Sequence, residues 1–209
     1  MFQILTICSA NVCRSPLAAA ALASRDVIRR GDRIQVSSAG LWAAEGAAMC
    51  AVAARWAGLQ QDDAVAHQAT SVSRGMISQS GLILVAERRH RAAIATAIPD
   101  ASVRTFTFRE AAALCVVAGH VGSSADAERQ DADVLGDLVR RMNAARGTVA
   151  YPDSLVVPRR GLRRVQKINA PDIPDSHEPP LVNHNFVMPE VLASMAAVTR
   201  AIERVLERV

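Results

Sequence analysis

The first thirty residues join an apolar run to a cysteine and an arginine placed six positions apart. Residues 2–7 (FQILTI) are short, apolar and rich in β-branched side chains, which predicts a buried strand ending near Cys8. Pro16 suits the first turn of a helix, and the apolar spacing after it predicts a helix that ends at Gly31. The loop between Cys8 and Arg14 therefore leads from a strand end to a helix N-terminus.

Such a loop is suited to holding a phosphate group beside a reactive thiol. The unpaired N–H groups and the dipole of a helix N-terminus favour anions and the thiolate form of a nearby cysteine. Five intervening residues allow the backbone to curl into an anion-binding nest, and the planar guanidinium of Arg14 can bind two phosphate oxygens. We therefore expect Cys8 to attack phosphorus while Arg14 holds it. The alternative, a small buried core cysteine, does not account for the surrounding residues.

The stretch from Cys8 to Pro16, CSANVCRSP, resembles the N-terminal signature of the low-molecular-weight protein tyrosine phosphatase family, Cys-x-Gly-Asn-x-Cys-Arg-Ser-Pro. The longer bacterial members are the more similar ones. At Ala10 the family has glycine, and a positive φ there would make alanine unfavourable by about 1–2 kcal/mol. The resemblance implies a phosphate-binding loop whose further members are Ser9, Ala10, Asn11, Val12, Cys13 and Ser15.

Two later residues match positions that support this loop in the family. Residues 37–40 (SSAG) follow the strand-like residues 34–36 and resemble the end of the family's second strand. His67 falls where the family has a histidine. By resemblance, Ser38 and His67 would hold Asn11 in a left-handed conformation together with Ser15. The alternative for His67 is an exposed histidine in the polar stretch 60–68.

A phosphatase of this type needs an acid for the leaving oxygen and a base for the attacking water. The family carries one carboxylate for both steps late in its chain, and by resemblance this is Asp175 in residues 172–177 (DIPDSH). Asp172 is the alternative, and a merely turn-rich loop is another. His177 stands where the family has an aromatic residue, so His177 and Trp42 are candidate walls of a substrate slot, although Trp42 equally suits covering apolar surface.

Further strands and helices predict the fold. Residues 81–86 and 103–108 have strand patterns and alternate with helical segments, which is typical of parallel sheets with right-handed crossovers. We expect an α/β fold with three layers, in which helices cover both faces of a four-stranded parallel sheet. Ligands bind such sheets at the carboxyl edge, where Cys8 lies. Residues 1–209 are predicted to form a single domain.

The chain of 209 residues exceeds the usual length of the family, and the excess falls at about 109–168. Apolar spacing predicts helices over 109–118 and 126–146, and a last amphipathic helix from Pro189 onward. That last helix is expected to dock on the domain, or less readily to form a dimer seam, which predicts a monomer or weak dimer. The basic run 158–167 could steer anionic substrates, or could be a solvated loop.

The residues 87–91 (ERRHR) concentrate charge at the head of a helix that is predicted to end near Ile98. Charge clusters of this kind usually form a solvated helix face. Arg88 and His90 are therefore not counted among the expected site residues.

The four cysteines, Cys8, Cys13, Cys50 and Cys115, lack local metal-ligand spacing, so neither a disulfide framework, a metal nor a cofactor is predicted. Cys13 is expected to form a reversible disulfide with Cys8 under oxidants. A net charge of +4 favours anionic partners, but aromatic residues make up only 3%, which argues against nucleic-acid binding. Without an apolar span or a leader, the chain is expected to be cytoplasmic and to bind no membrane.

Together these features predict a phosphatase that forms a phosphocysteine intermediate. Its expected partners are phosphotyrosine in proteins, or a related small phosphomonoester. One alternative is an arsenate reductase on the same scaffold, although residues 87–97 lack the resolving cysteines of its thioredoxin-linked members. The other is a pseudophosphatase that binds phosphate with little turnover.

Overall fold

The computed structural model describes residues 1–25, 33–119, 130–150, 155–158, 165–168, 171–177 and 182–207. Its main sheet has four parallel strands in the order β2-β1-β3-β4. The strands are β1 (Phe2–Cys8), β2 (Ile34–Gly40), β3 (Leu82–Val85) and β4 (Thr105–Thr107). The predicted four-stranded parallel sheet is confirmed.

Helices connect and cover these strands. They are α1 (Arg14–Ala23), α2 (Ala51–Trp56), α3 (Gln61–Ala66), α4 (Arg74–Gln79), α5 (Arg88–Ala97), α6 (Phe108–Ala118), α7 (Asp131–Ala144) and α8 (His184–Leu206), with a 3₁₀ helix at Pro99–Arg104. A separate antiparallel pair consists of β5 (Leu155–Pro158) and β6 (Val165–Ile168).

Both faces of the sheet are buried, because β1 and β3 send alternate apolar side chains to opposite sides. Ile4 belongs to a core that includes residues of α1, α6, α7 and α8. Leu5 and Ile7 belong to a second core with residues of α4 and α5. The predicted three-layer arrangement is therefore confirmed, and it fixes the end of β1 in the middle of the carboxyl edge.

Several boundaries differ from the sequence-based prediction. β4 begins only at Thr105, because the preceding residues form the 3₁₀ helix and the Thr105 hydroxyl donates to Ala101 O at 2.7 Å. α8 begins five residues before the predicted start at Pro189, since the Asn183 side chain caps it by accepting the N–H of Asn185 at 2.9 Å.

The region 109–168 contains α6 and α7 as predicted, and it also contains the antiparallel pair, which the helical patterns did not indicate. The prediction that α1 continues to Gly31 is wrong: α1 ends at Ala23 with Ser24 as its C-cap, because the Arg25 N–H bonds Leu22 O at 3.1 Å and tightens the last turn. The central residues 159–164 of the basic run lie outside the described residues. Within the described part of the chain, no helix combines the length and apolarity needed to span a bilayer.

Candidate active site

The loop after β1 turns its carbonyl groups toward the rest of the protein. Each of five successive carbonyls accepts a hydrogen bond from outside the loop. The pairs are Cys8 O with Leu41 N (3.0 Å), Ser9 O with Trp42 N (2.9 Å), Ala10 O with Ala44 N (3.1 Å), Asn11 O with His67 Nε2 (2.8 Å) and Val12 O with Cys50 N (2.6 Å). Among the described residues, none accepts a hydrogen bond from the N–H groups of residues 9–14. Those N–H groups are thus free to bind an anion.

Asn11 adopts the left-handed conformation that the resemblance implied, with φ 58°. Its Nδ2 donates to Ser15 Oγ and to Ser38 Oγ, both at 3.0 Å, and its Oδ1 accepts the N–H of Thr70 at 2.9 Å. Together with the contact from His67 to its carbonyl, these bonds fix the loop's sharpest turn. The structure therefore brings the three predicted residues, Ser15, Ser38 and His67, together around Asn11.

The replacement of the family's glycine by Ala10 introduces no left-handed strain. Among the described residues, Asn11 is the only one other than glycine with a positive φ. The position that does require glycine is Gly40, at the end of β2. A Cβ there would lie 2.7 Å from Ser9 O and 3.0 Å from Asn11 N, which are backbone atoms that cannot swing aside.

Cys8 ends β1 with its side chain buried, and its Sγ lies 3.0 Å from Ser15 Oγ. Ser15 Oγ also accepts from Asn11 Nδ2 at 3.0 Å and lies 3.2 Å from Ala39 O. The hydroxyl has a single proton, which it can donate either to the Ala39 carbonyl or to the sulfur. When Cys8 is a thiolate, the charge-assisted bond to sulfur is the stronger one.

Arg14 is 1% exposed and surrounded by acceptors. Its Nη1 donates to Glu87 Oε1 and, at 2.8 Å, to Ile173 O, while its Nη2 donates to Asp175 Oδ2. Its Nε is buried without a hydrogen-bond partner among the described residues. Burial alone would lower the pKa of this guanidinium, but the negative groups around it, Cys8 foremost, raise it. Arg14 is therefore a fixed cation at the mouth of the loop.

The carboxylate of Asp175, the predicted acid, forms an ion pair with the Arg14 guanidinium. Burial would raise the pKa of its carboxyl, but Arg14 and the His177 N–H, which donates to Oδ1 at 2.8 Å, hold it below its usual range. Asp172, the alternative acid, instead binds the N–H of Arg88 at 2.7 Å and forms an ion pair with its guanidinium at 3.2 Å. Of the two aspartates, Asp175 is thus the one in contact with the phosphate-binding residues.

The charged run 87–91 is not simply the solvated face that its composition predicts. His90 is fully buried, and its Nδ1 accepts the N–H of Glu87 at 3.2 Å, which leaves the proton on Nε2. That Nε2 lies 3.2 Å from Ser9 Oγ and donates to it. Burial, followed by the charges of Arg14 and Arg89, lowers the pKa of His90 to about 3. The ring is therefore neutral and positions the first side chain of the loop.

Sequence reasoning missed Glu87, Arg89 and His90. Arg89 Nη2 lies 3.1 Å from Ser9 Oγ and 3.2 Å from Glu87 Oε1. The sequence carries one signal for Glu87 and His90, which is their spacing as the N-cap and N3 residues of a helix directly after a buried strand. In the structure their side chains form a reciprocal capping box at the start of α5.

Trp42 and His177, the predicted substrate walls, both lie beside the loop. The Trp42 ring is 60% exposed, 5.8 Å from the Arg89 guanidinium and 6.2 Å from the His90 ring. The His177 ring is exposed too, and it meets the ring of His184 edge-on at 4.8 Å.

Cys13 and Cys50 are neighbours, with their sulfur atoms no more than 4.8 Å apart, while the disulfide of Cys13 with Cys8 under oxidants stays a prediction. The neighbouring Cys13, together with the N–H groups at the start of α2, lowers the pKa of Cys50 to about 4. The neighbouring Cys50, followed by burial, raises the pKa of Cys13. Cys50 Sγ lies 3.5 Å from His184 Nε2.

A family model described as "Low molecular weight phosphotyrosine protein phosphatase" matches residues 3–114, more than half of the chain. The chain belongs to this family. The predictions of the family and of a phosphatase enzyme are therefore confirmed. The match includes the loop with Cys8 and Arg14 and the support residues Ser38 and His67, whereas Asp175 lies beyond it.

Two curated relatives are similar over this region. A protein-arginine-phosphatase of Geobacillus stearothermophilus is 30% identical over 125 residues, which is 60% of this chain and 78% of the relative. The low-molecular-weight protein-tyrosine-phosphatase Wzb of Salmonella typhi is 33% identical over 106 residues, 51% of this chain and 68% of the relative. Among solved structures, the YwlE arginine phosphatase of G. stearothermophilus has 26% identity and a TM-score of 0.46, covering 71% of this chain and 94% of its own.

Proposed function

We propose that this phosphatase hydrolyses phosphotyrosine in proteins, or a related small phosphomonoester, through a phosphocysteine intermediate. The observation that carries the proposal is the buried guanidinium of Arg14 at the mouth of a loop whose N–H groups have no described acceptor. A dianionic phosphate needs a ring of donors of this kind, and one fixed cation suits the charge of the phosphoryl group. Cys8 lies at the base of the same loop.

In the first step, the substrate phosphate competes with Asp175 for Nη2 of Arg14. Once released from Arg14 and placed beside the phosphate dianion, the carboxyl favours its protonated form, because a like charge disfavours ionisation. The Cys8 thiolate then attacks phosphorus, forming the S–P bond as the P–O bond breaks. Asp175 donates its proton to the departing phenolic oxygen, so that a neutral phenol leaves.

In the second step, Asp175 accepts a proton from the water that attacks the phosphocysteine. The P–O bond to water forms as the S–P bond breaks, and inorganic phosphate and the thiolate are regenerated. The hydroxyl of Ser15, 3.0 Å from Cys8 Sγ, donates to the sulfur as it departs with negative charge.

The exposed ring of Trp42 supports an aryl phosphate as the substrate. The backbone N–H of Trp42 donates to Ser9 O in the phosphate-binding loop, so residue 42 lies next to the position of the scissile group. An aromatic wall gains more from a flat phenyl ring than from a hydrated alkyl chain. Phosphoarginine is the competing substrate class, since one relative is named a protein-arginine-phosphatase.

Aryl phosphates with leaving groups of different basicity test the mechanism. Cys8→Ser should lose turnover entirely. Asp175→Asn should lose far more activity on phenyl phosphate than on 4-nitrophenyl phosphate, because only the more basic phenolate requires protonation. Asp172→Asn is the matched control, and any loss that it shows should be the same for both substrates. The reverse pattern would make Asp172 the acid.

A second set of assays compares substrate classes. Phosphotyrosine and phosphoarginine peptides of the same sequence should give the larger kcat/KM for phosphotyrosine, and Trp42→Ala should reduce that preference. Arsenate reduction with a thiol donor should be absent. Phosphate binding by the wild type without turnover of any of these substrates would reject the proposal in favour of a pseudophosphatase.

A further inference from the structure

Four side chains from separate parts of the chain meet beside the phosphate-binding loop. Cys13 ends that loop, and Cys50 is the N-cap of α2. His177 lies in residues 171–177, here called the acid loop because they carry Asp175, and His184 is the first residue of α8. Their sulfur and imidazole nitrogen atoms all lie within 4.8 Å of one another. The spacing of these residues along the chain is too long for a local metal-binding motif, which is why the sequence predicted no metal.

Two of the six separations match the edges of a metal-centred tetrahedron, and the other four are at most 4.8 Å. With Zn–S bonds of about 2.3 Å and Zn–N bonds of about 2.0–2.1 Å, the S–N edge is about 3.5 Å and the N–N edge about 3.3 Å. Cys50 Sγ lies 3.5 Å from His184 Nε2, and the two imidazole Nε2 atoms of His177 and His184 lie 3.1 Å apart. One ion can therefore reach all the atoms without a large movement.

We propose that Cys13, Cys50, His177 and His184 form a tetrahedral zinc site. Two sulfur and two nitrogen ligands are the donor set of many structural Zn²⁺ sites. Zinc would lie between the two sulfur atoms and the two imidazole nitrogens. Cys13 is buried whereas His177 is exposed, so the ion has a path of entry from solvent.

The ion would connect the catalytic segments to the last helix. Cys13 directly precedes Arg14, and His177 follows Asp175 by two residues. Zinc would thereby hold the acid loop against the phosphate-binding loop and against the start of α8. Cys8 is not a ligand, so its sulfur stays available for attack. A His177 ring bound to zinc is fixed on the metal, and Trp42 is then the remaining candidate wall.

Cobalt substitution tests the site without relying on activity. The full-length protein, reduced and freed of metal, is titrated with Co²⁺ and then with Zn²⁺. One tetrahedral Co²⁺ with thiolate ligands gives intense visible bands and sulfur-to-metal charge-transfer absorption. We expect both signals to saturate at one ion per chain and to disappear when Zn²⁺ is added. X-ray absorption of the zinc form should then show two sulfur and two nitrogen neighbours.

Variants separate this site from zinc captured by the catalytic thiol. Cys50→Ser and His184→Asn should each weaken Zn²⁺ binding at least a hundredfold, whereas Cys8→Ser and Cys115→Ala should keep it. Zn²⁺ should raise the melting temperature of the wild type but not that of Cys50→Ser. Loss of binding in Cys8→Ser, retention in Cys50→Ser, or octahedral Co²⁺ without charge transfer would overturn the proposal. A Cys13–Cys50 disulfide in freshly isolated protein, with no zinc uptake after reduction, would do the same.

Discussion

Nη2 of Arg14 binds the carboxylate of Asp175, so the cation that should hold the substrate's phosphate also holds the group that should protonate its leaving oxygen. Asp175 is joined there by Glu87 on Nη1. The guanidinium is thus already paired on both of its terminal nitrogens, whereas its Nε has no partner among the described residues. A phosphate that binds both Nε and Nη2 must therefore compete with Asp175 for Nη2.

Removing the negative charge of Asp175 should therefore tighten phosphate binding. For Asp175→Asn we expect a dissociation constant for inorganic phosphate about tenfold lower than that of the wild type, or about 1.4 kcal/mol, because one competing charge is lost. Isothermal titration calorimetry at low salt measures this difference. Asp172→Asn should leave it unchanged, since that carboxylate pairs with Arg88. Equal or weaker phosphate binding by Asp175→Asn would contradict the competition.

Gly40→Ala should disturb the loop although residue 40 does not touch the phosphate position. The added Cβ would meet Ser9 O at 2.7 Å, and overpacking of this kind destabilises a core by about 1–3 kcal/mol. Urea unfolding should show this loss, and kcat/KM should fall with it. Gly136→Ala is the matched control: in α7 its Cβ meets only a flexible arginine end at 3.6 Å, and it should stabilise by about 0.5–1 kcal/mol. A neutral Gly40→Ala would show that the loop can shift away.

Substitutions of Asn11 distinguish its backbone conformation from its hydrogen bonds. Asn11→Gly keeps the left-handed φ of 58° available but removes the bonds to Ser15, Ser38 and Thr70. Asn11→Ala removes both, and should be less stable than Asn11→Gly by about 1–2 kcal/mol. Thermal unfolding of the two proteins gives the comparison. If both lose the same stability, the conformation contributes nothing and the side-chain bonds account for the whole effect.

The buried neutral ring of His90 should make stability depend on pH. Its pKa is about 3 in the folded protein against an ordinary value of 6.5, so between these pH values the unfolded chain binds a proton that the folded chain does not. Stability from this group is complete above the ordinary pKa and falls as the pH decreases, by about 1.4 kcal/mol per pH unit.

His90→Gln tests this by difference. The substitution should be most destabilising near neutral pH, and about 2 kcal/mol less so at about pH 5. Because the acidic groups around position 90 are common to both proteins, their titration largely cancels in the comparison. Parallel stability curves for the two proteins would show that His90 is not held neutral.

Most of the fold and of the phosphate-binding loop could be predicted from short motifs of neighbouring residues. The strand, loop and helix around Cys8 lie within about twenty consecutive residues, so the order of the residues alone indicates a phosphate-binding arrangement. Ser38, His67 and Asp175 are distant in sequence, and the family resemblance placed them where the structure has them. The periodic apolar pattern similarly indicated the four strands of the sheet.

What the sequence did not indicate depends on tertiary burial. The run 87–91 looks solvated because four of its five residues are charged, yet His90 contacts the loop from the first turn of α5 and is fully buried. The meeting of Cys13 with Cys50 likewise results from packing α2 beside the loop. No pattern of period two or of helical period encodes contacts between elements so far apart along the chain.

The outward bonds of the loop carbonyls have a consequence for protein engineering. Four of the five donors come from residues 41–50, and the fifth is His67. Residues 41–50, His67 and Gly40 therefore fix the backbone conformation of residues 8–14 before phosphate binds. Grafting CSANVCR alone onto another strand and helix would leave those carbonyls without donors, so a transplant must carry residues 40–70 along with it.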